Sequence, residues 1–232
     1  LYFADTSDGR DVIVDISHPF YSLETPWSAG FYTQDVSQEL PIRHMDEEIN
    51  EFRHQSMSNR IFFGLATDVQ ETHTQRWVVG ISNEEDKFYP TDETLMPIPG
   101  ARKLVYPWIE YQYLQNRYGV FKNINQIQRP EDVALGHNLV FRFGYAGKSF
   151  DNPDDIYRYI GKYSYILDFD ARHVLETSVT LDGRHHNHLA ESNSAVVTGT
   201  VAYNYFDDDK RRWYMGLNYS MGQDLAQYEE LN

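Results

Sequence analysis

A chain of 232 residues with 41% hydrophobic side chains is long enough and apolar enough to fold as one large domain, and its length demands no second one. A formal net charge of −15 argues against a nucleic-acid partner, because phosphate neutralisation needs clustered Lys and Arg. The absence of cysteine excludes a disulfide framework and a thiolate metal site, and no run of about 18 apolar residues offers a membrane-spanning helix.

Apolar and polar residues alternate along most of the chain, the period of a strand, and no helical stripe is sustained. The sequence begins at Leu1 without Met or a signal peptide, so it is expected to belong to a longer precursor. Leu1 to Thr6 reads as a strand end and Ser7-Asp8-Gly9 as a tight turn. Val12, Val14 and Ile16 alternate with Asp11, Asp15 and Ser17, and a reversal is expected from Ser22 to Pro26. Trp27, Ala29, Phe31 and Thr33 oppose Ser28, Gly30, Tyr32 and Gln34, and Val36 to Glu48 reads as a long acidic loop. Ile49 to Asp68 is one long strand projecting beyond any slab, with Ile61, Phe63 and Leu65 facing away from Arg60, Gly64 and Ala66. After a turn at Gln70 to Gln75, Trp77, Val79 and Ile81 face away from Arg76, Gly80 and Ser82, and Asp86 to Gly100 reads as the second long loop.

Lys103 to Lys122 reads as another long strand, with Ile109, Tyr111 and Tyr113 opposite Trp108, Glu110 and Gln112. Beyond a connection over Asn123 to Asp132, one face collects Val133, Leu135, Leu139, Phe141, Phe143 and Tyr145, and the reverse holds Arg142, Gly144 and Ala146. An acidic loop spans Asp151 to Asp155. Tyr163, Tyr165, Leu167 and Phe169 follow, then a turn at Asp170-Ala171, then Leu175, Thr177, Val179 and Leu181. The loop Gly183 to Asn193 leads to a hairpin from Val196 to Ser220, turned by Asp207 to Lys210. One face of that hairpin is large and apolar (Val201, Tyr203, Trp213, Met215, Leu217), and the other is Gly, Ser, Thr and Asn.

A soluble sheet covers its wet face with charged groups, whereas a membrane barrel puts apolar groups toward lipid and small polar ones toward its lumen. Tyrosine, present 18 times, suits both strands and the water-lipid boundary. The expectation is therefore an all-β fold, an antiparallel transmembrane β-barrel with eleven strands. The longer loops share one end and the short turns the other, the arrangement of outer-membrane barrels with loops outside the cell. Glu110 and Arg142, on the small-residue faces, are candidate lumen charges that pair with other strands.

Other motifs favour bland readings. Gly147-Lys148-Ser149 lacks the upstream glycine and following helix of a phosphate loop. His185, His186 and His188 with Glu191 have the donor types of a transition-metal site, but a polar loop tip explains them better. Asp207 to Asp209 and Asp151 to Asp155 lack the twelve-residue calcium-loop pattern and read as solvated acidic turns. No carboxylate pair lies in an apolar setting and no Gly-x-Ser-x-Gly turn occurs, so neither catalysis nor a cofactor is expected.

Three stretches, "YFADTSDGRDVIVDISHPFYSLETPW", "YPWIEYQYLQNRYGVFKNINQIQRPEDVALG" and "LNYSMGQDLAQYEELN", resemble the barrel region of the bacterial surface-antigen family, the BamA/TamA superfamily. The resemblance implies a bacterial outer-membrane location, lipids and a client β-strand polypeptide as partners, accessory lipoproteins, and a sixteen-strand barrel opening laterally between its first and last strands. Residues 1–232 would then be a partial barrel domain, completed by strands beyond Asn232, with Phe3 near the seam. The family's Arg-Gly-aromatic signature and periplasmic repeats are not in this sequence, so the likeness supports a barrel identity better than an active assembly role. The alternatives are a passive outer-membrane channel or anchor, and a soluble β-barrel that binds an apolar ligand.

Overall fold

A computed structural model describes residues 1–6, 9–44, 47–122, 124, 129–150, 152, 154–170, 172–187, 193–207 and 211–223. In chain order the strands are β1 (Tyr2–Thr6), β2 (Gly9–His18), β3 (Trp27–His44), β4 (Glu47–Val69), β5 (His73–Pro90), β6 (Arg102–Gln115), β7 (Arg117–Lys122), β8 (Pro130–Ala146), β9 (Ile156–Asp170), β10 (His173–His186), β11 (Ser194–Phe206) and β12 (Arg212–Gln223). Every pairing is antiparallel, and each strand lies beside its sequence neighbour except that β6 pairs β8 while β7 pairs β8 alone. The described residues form one open sheet, in which β1 and β12 are the edges. The only helical element among them is a single 3-10 turn, Lys148–Phe150, which leaves Gly147-Lys148-Ser149 without the helix a phosphate loop requires.

Connections after β1, β3, β5, β8 and β10 leave one end of the sheet, and those after β2, β4, β7, β9 and β11 leave the other, since β7 continues the direction of β6. The expected contrast in length holds only in part: the connections after β5, β8 and β10 are long, but β3 runs to His44 and β4 starts at Glu47, so the expected loop 36 to 48 shrinks to a two-residue connection, while the link from β2 to β3 on the other end spans residues 19 to 26. The strand count and several boundaries differ from expectation. Among the described residues twelve strands replace the expected eleven, because 103 to 122 divides at Asn116 into β6 and β7. Much of the acidic segment 36 to 48 is strand, since β3 continues to His44 and pairs Leu40 with Phe52 and Gln38 with His54. Likewise β5 carries on through Asp86 to Pro90, which leaves only 91 to 101 as loop. β10 reaches His186 before its loop begins. The expected turn residues Ser7, Asp8 and Ala171, the loop residues Asp151 and Pro153, and Asp208 to Lys210 lie outside the described residues.

β8 serves two partners. Its first part, Pro130 to Leu135, pairs β7, and Asn138 to Gly144 pair β6. Between them Gly136 has φ of 83°, a backbone state that L side chains rarely adopt, and a Cβ there would lie 2.2 Å from Oε1 of Gln115. The slip in alternation turns Leu135 to the same side as Arg142, where it is buried with Phe121, Val174 and Phe206. Val133 packs against that cluster too, so Val133 and Leu135 do not share the face of Leu139 and Phe141 as their numbering suggests.

The two faces of the sheet differ, the outer one dominated by apolar side chains and the inner one mixing buried polar groups with an apolar cluster. On the outer face Ile61, Phe63, Leu65, Trp77, Val79, Ile81, Ile109, Phe141 and Phe143 are all exposed, Ile61 at 64% and Ile81 at 54%. The register places them in continuous rows: Phe31, Ile61, Ile81 and Pro107 form one, and Ala29, Phe63, Val79, Ile109 and Phe143 the next. On the inner face Arg76, Ser82, Glu110, Ser28 and Asn204 are buried.

That relationship reverses along β3, β4 and β5. Past the row Thr33, Asn59 and Asn83, the outer residues become Asp35, Met57 and Glu85, then Ser37, Gln55 and Lys87, then Glu39, Arg53 and Tyr89. The inner residues there become apolar: Ile42, Phe52 and Phe88 form a core, with Leu40, Ile49 and Ile98 against it. Phe52 is 1% exposed. Asn50 holds the covering loop in place, accepting hydrogen bonds from the backbone N–H groups of Leu95 (2.8 Å) and Met96 (3.1 Å).

Candidate functional site

The inner face between β4 and β9 gathers most of the buried polar side chains, and it contains both residues expected as lumen charges. Glu110 on β6 and Arg142 on β8 stand directly opposite each other in the ladder. Nη2 and Nε of Arg142 donate to Oε2 of Glu110 at 2.7 and 2.9 Å, and Nε2 of Gln112 donates to Oε1 at 2.7 Å. The Arg142 guanidinium lies 3.9 Å from the ring of Trp108, whose indole N–H donates to Oγ of Ser82 at 2.9 Å. Gly80 makes room for that indole. A Cβ there would fall 2.4 Å from Cζ2 of Trp108 and 2.6 Å from the carbonyl oxygen of Ile61. A charge pair, an aromatic plate and a hydroxyl thus fix one another across β5, β6 and β8, and each needs the others because its polar atoms are away from water.

Further polar contacts continue the pattern. Tyr106 donates to Oε1 of Glu84 at 2.6 Å, Arg158 pairs with Asp182 (Nη2 to Oδ2, 2.8 Å), and Nδ2 of Asn204 donates to Oε1 of Glu176 at 2.6 Å. The turn between β2 and β3 folds back over this face: Arg76 donates to the Ser22 carbonyl at 2.7 Å, Thr74 donates to the Leu23 carbonyl at 3.1 Å, and Phe20 packs against the Val78 and Tyr106 core. Of these residues, sequence reasoning singled out only Glu110 and Arg142. Arg60 and Arg76 stood on the small-residue faces opposite apolar rows, and a lone Arg in that setting is the signal that marks them.

At the short-turn end of the outer face, aromatic and imidazole rings pair repeatedly. His18 stacks on Trp27 at 3.9 Å, His137 on Tyr165 at 4.3 Å and His173 on Tyr205 at 4.9 Å. Tyr145, Tyr157 and His185 form a second group toward the other end. On β8 the apolar stretch between them runs from His137 to Tyr145, which matches the roughly 9 to 11 residues that carry a tilted strand across a bilayer. His185 is thus a ring neighbour of Tyr157, and His188 and Glu191 lie outside the described residues. Among the described residues no group of three or more His, Asp or Glu is arranged to hold a metal ion.

Phe3, the expected seam residue, lies in edge strand β1 opposite Val12 and is exposed. At the far edge, Trp213, Met215, Leu217, Tyr219 and Met221 of β12 are all exposed on the outer side. β12 pairs only with β11 among the described residues, so its other side presents a hydrogen-bonding ladder.

Beyond the apolar rows, Asp86 on β5 accepts from Nε2 of His54 (2.9 Å) and from Nη2 and Nε of Arg102 (2.7 and 3.2 Å), with His54 stacked on Phe88 at 4.8 Å. Burial alone would raise its pKa. The bonds and charges of His54 and Arg102 outweigh that and bring it down to about 2.

The sequence matches no protein-family model and no curated protein.

Replacing Glu110 with Ala leaves the Arg142 guanidinium without its carboxylate and should cost about 3 kcal/mol in unfolding titrations. Removing both partners should cost less than the sum of the single losses; additive losses would mean the pair does not interact. The depressed pKa of Asp86 contributes stability that is complete above the carboxyl's unfolded pKa of about 3.9 and is lost as pH falls through about 2. The wild-type urea midpoint should therefore drop across that window, while Asp86→Asn starts lower and shows a flatter profile.

Proposed function

We propose that this chain is the barrel region of a bacterial outer-membrane protein of the BamA/TamA type, which inserts or translocates polypeptides through a lateral seam. The carrying observation is the reversal of face chemistry along β3, β4 and β5. An outer face that is apolar below the Thr33, Asn59 and Asn83 row and charged above it suits a strand leaving lipid for water. A soluble barrel for an apolar ligand would turn its longest apolar rows inward, whereas here the rows of Ile61, Phe63, Val79 and Ile109 face outward and the buried charges Arg76 and Glu110 face inward. The rings at both ends of the apolar stretch of β8 are the kind that settle at the water-lipid boundary.

The mechanism follows from the sheet's edges. A backbone ladder without a partner is costly in lipid, by several kcal/mol per group, so β1 and β12 must pair with something. A client strand adding to either edge by β-augmentation satisfies that demand, and its own alternation then continues the apolar outer face. Lipids of the outer membrane and a β-strand client are the partners, with accessory lipoproteins as helpers, and neither nucleic acid nor a chemical step has a part. The connections after β1, β3, β5, β8 and β10 face the cell exterior in this reading, with the short turns in the periplasm.

In lipid vesicles, Phe141→Arg should cost about 2 to 4 kcal/mol of folding free energy, since it puts a charge among the apolar rows. Met57→Arg, beyond the boundary and opposite Asp35 and Glu85, should cost under about 1 kcal/mol. Equal costs at the two positions would remove the lipid reading. A photocrosslinker at Phe3 or Leu217 should capture an unfolded outer-membrane client during its insertion, while one at Ile109, in mid-sheet, should not. Insertion that proceeds with no capture at either edge would leave the passive channel or anchor as the better description.

A further inference from the structure

Arg60, Arg76 and Arg142 belong to three strands, β4, β5 and β8, yet all three line one cavity of about 310 Å³ on the inner face. That volume is the lower end of the range in which small ligands bind. Glu110 is the single carboxylate in the lining, and it already accepts from Arg142 and Gln112. Three guanidinium groups therefore face one engaged carboxylate, in a chain whose net charge is −15.

Neither Arg60 nor Arg76 forms an ion pair among the described residues. Arg60 lies 5.4 Å from the Tyr32 ring centre, and Arg76 lies 4.3 Å from that of Phe20. Arg76 is 4% exposed and spends Nη2 on the Ser22 carbonyl, but its Nε is buried with no hydrogen-bond partner. A guanidinium this deeply buried with no carboxylate partner carries a substantial desolvation cost, which a nearby anion offsets. Guanidinium forks match carboxylate and phosphate oxygens in shape as well as charge. Phe62 and Trp108 add apolar surface to the same cavity, so an anionic group carried on an apolar body has both of its parts accommodated.

We propose that this cavity is an oxyanion-binding site, in which Arg60 and Arg76 take a carboxylate or phosphate group beside the fixed Arg142 and Glu110 pair. The site lies on the inner face and stands whether or not the outer face meets lipid. Calorimetric titration of the purified chain with phenylpropionate, its neutral analogue phenylpropanamide, and inorganic phosphate tests it. Binding of phenylpropionate ahead of phosphate identifies a carboxylate on an apolar body as the ligand, and the reverse order identifies free phosphate; either supports an oxyanion site. Arg60→Gln should weaken the bound anion about tenfold or more, the loss expected for a charge-assisted contact. Arg60 is the better variant, because Arg76→Gln also releases the Ser22 carbonyl that ties down the turn. No binding of either anion, equal binding of the amide and the acid, or unchanged affinity in a folded Arg60→Gln protein would each overturn the proposal.

Discussion

The backbone ladder decides which side chains share a face, and it does so over the whole length of a strand regardless of what surrounds it. A strand that passes from one medium to another must therefore exchange the chemistry of its two faces at the crossing. β4 does this within its 23 residues, from Arg53 outside and Phe52 inside to Ile61 outside and Arg60 inside. β3 and β5 change their outer face in the same cross-strand row, where Thr33 donates to Oδ1 of Asn59 at 2.7 Å and Asn59 opposes Asn83, and the inner face turns apolar further on, at Leu40, Phe52 and Phe88. Three strands thus change their outer chemistry at one level of the sheet. The inner face follows from this. Where apolar groups face outward, polar ones turn inward, and burial obliges them to find one another.

Much of the fold was legible because alternation survives in the sequence without tertiary information. Ile61, Phe63 and Leu65, or Phe141 and Phe143, announce their shared face by spacing alone. What escaped was the strand beyond the boundary. Residues 36 to 44 and 86 to 90 resemble loops by composition, with Glu39 and Asp86 among them, yet they continue the strand period, so a reading tuned to apolar outer residues stops too early. Gly136 hid a second feature. Its positive φ shifts the alternation by one, and nothing local in the sequence distinguishes that glycine from the others on the inner face.

The polar site was legible only in part for a related reason. Glu110 and Arg142 could be assigned a face, but their being directly opposite depends on the register between β6 and β8, which skips β7 altogether. Arg60 and Arg76 are likewise brought to one cavity by registers set over long strands. Once assembled, the network ties β5, β6 and β8 together across the inner face.

Spin labels placed singly along β4, at Glu51, Arg53 and Gln55 and at Ile61, Phe63 and Leu65, test the boundary most directly in a bilayer-reconstituted sample. The account requires labels at 61, 63 and 65 to collide with oxygen, which concentrates in lipid, and those at 51, 53 and 55 to collide with a water-soluble nickel complex, with the change near Asn59. Nickel access at 61, 63 and 65 equal to that at 51, 53 and 55 would place the whole outer face in water and contradict it.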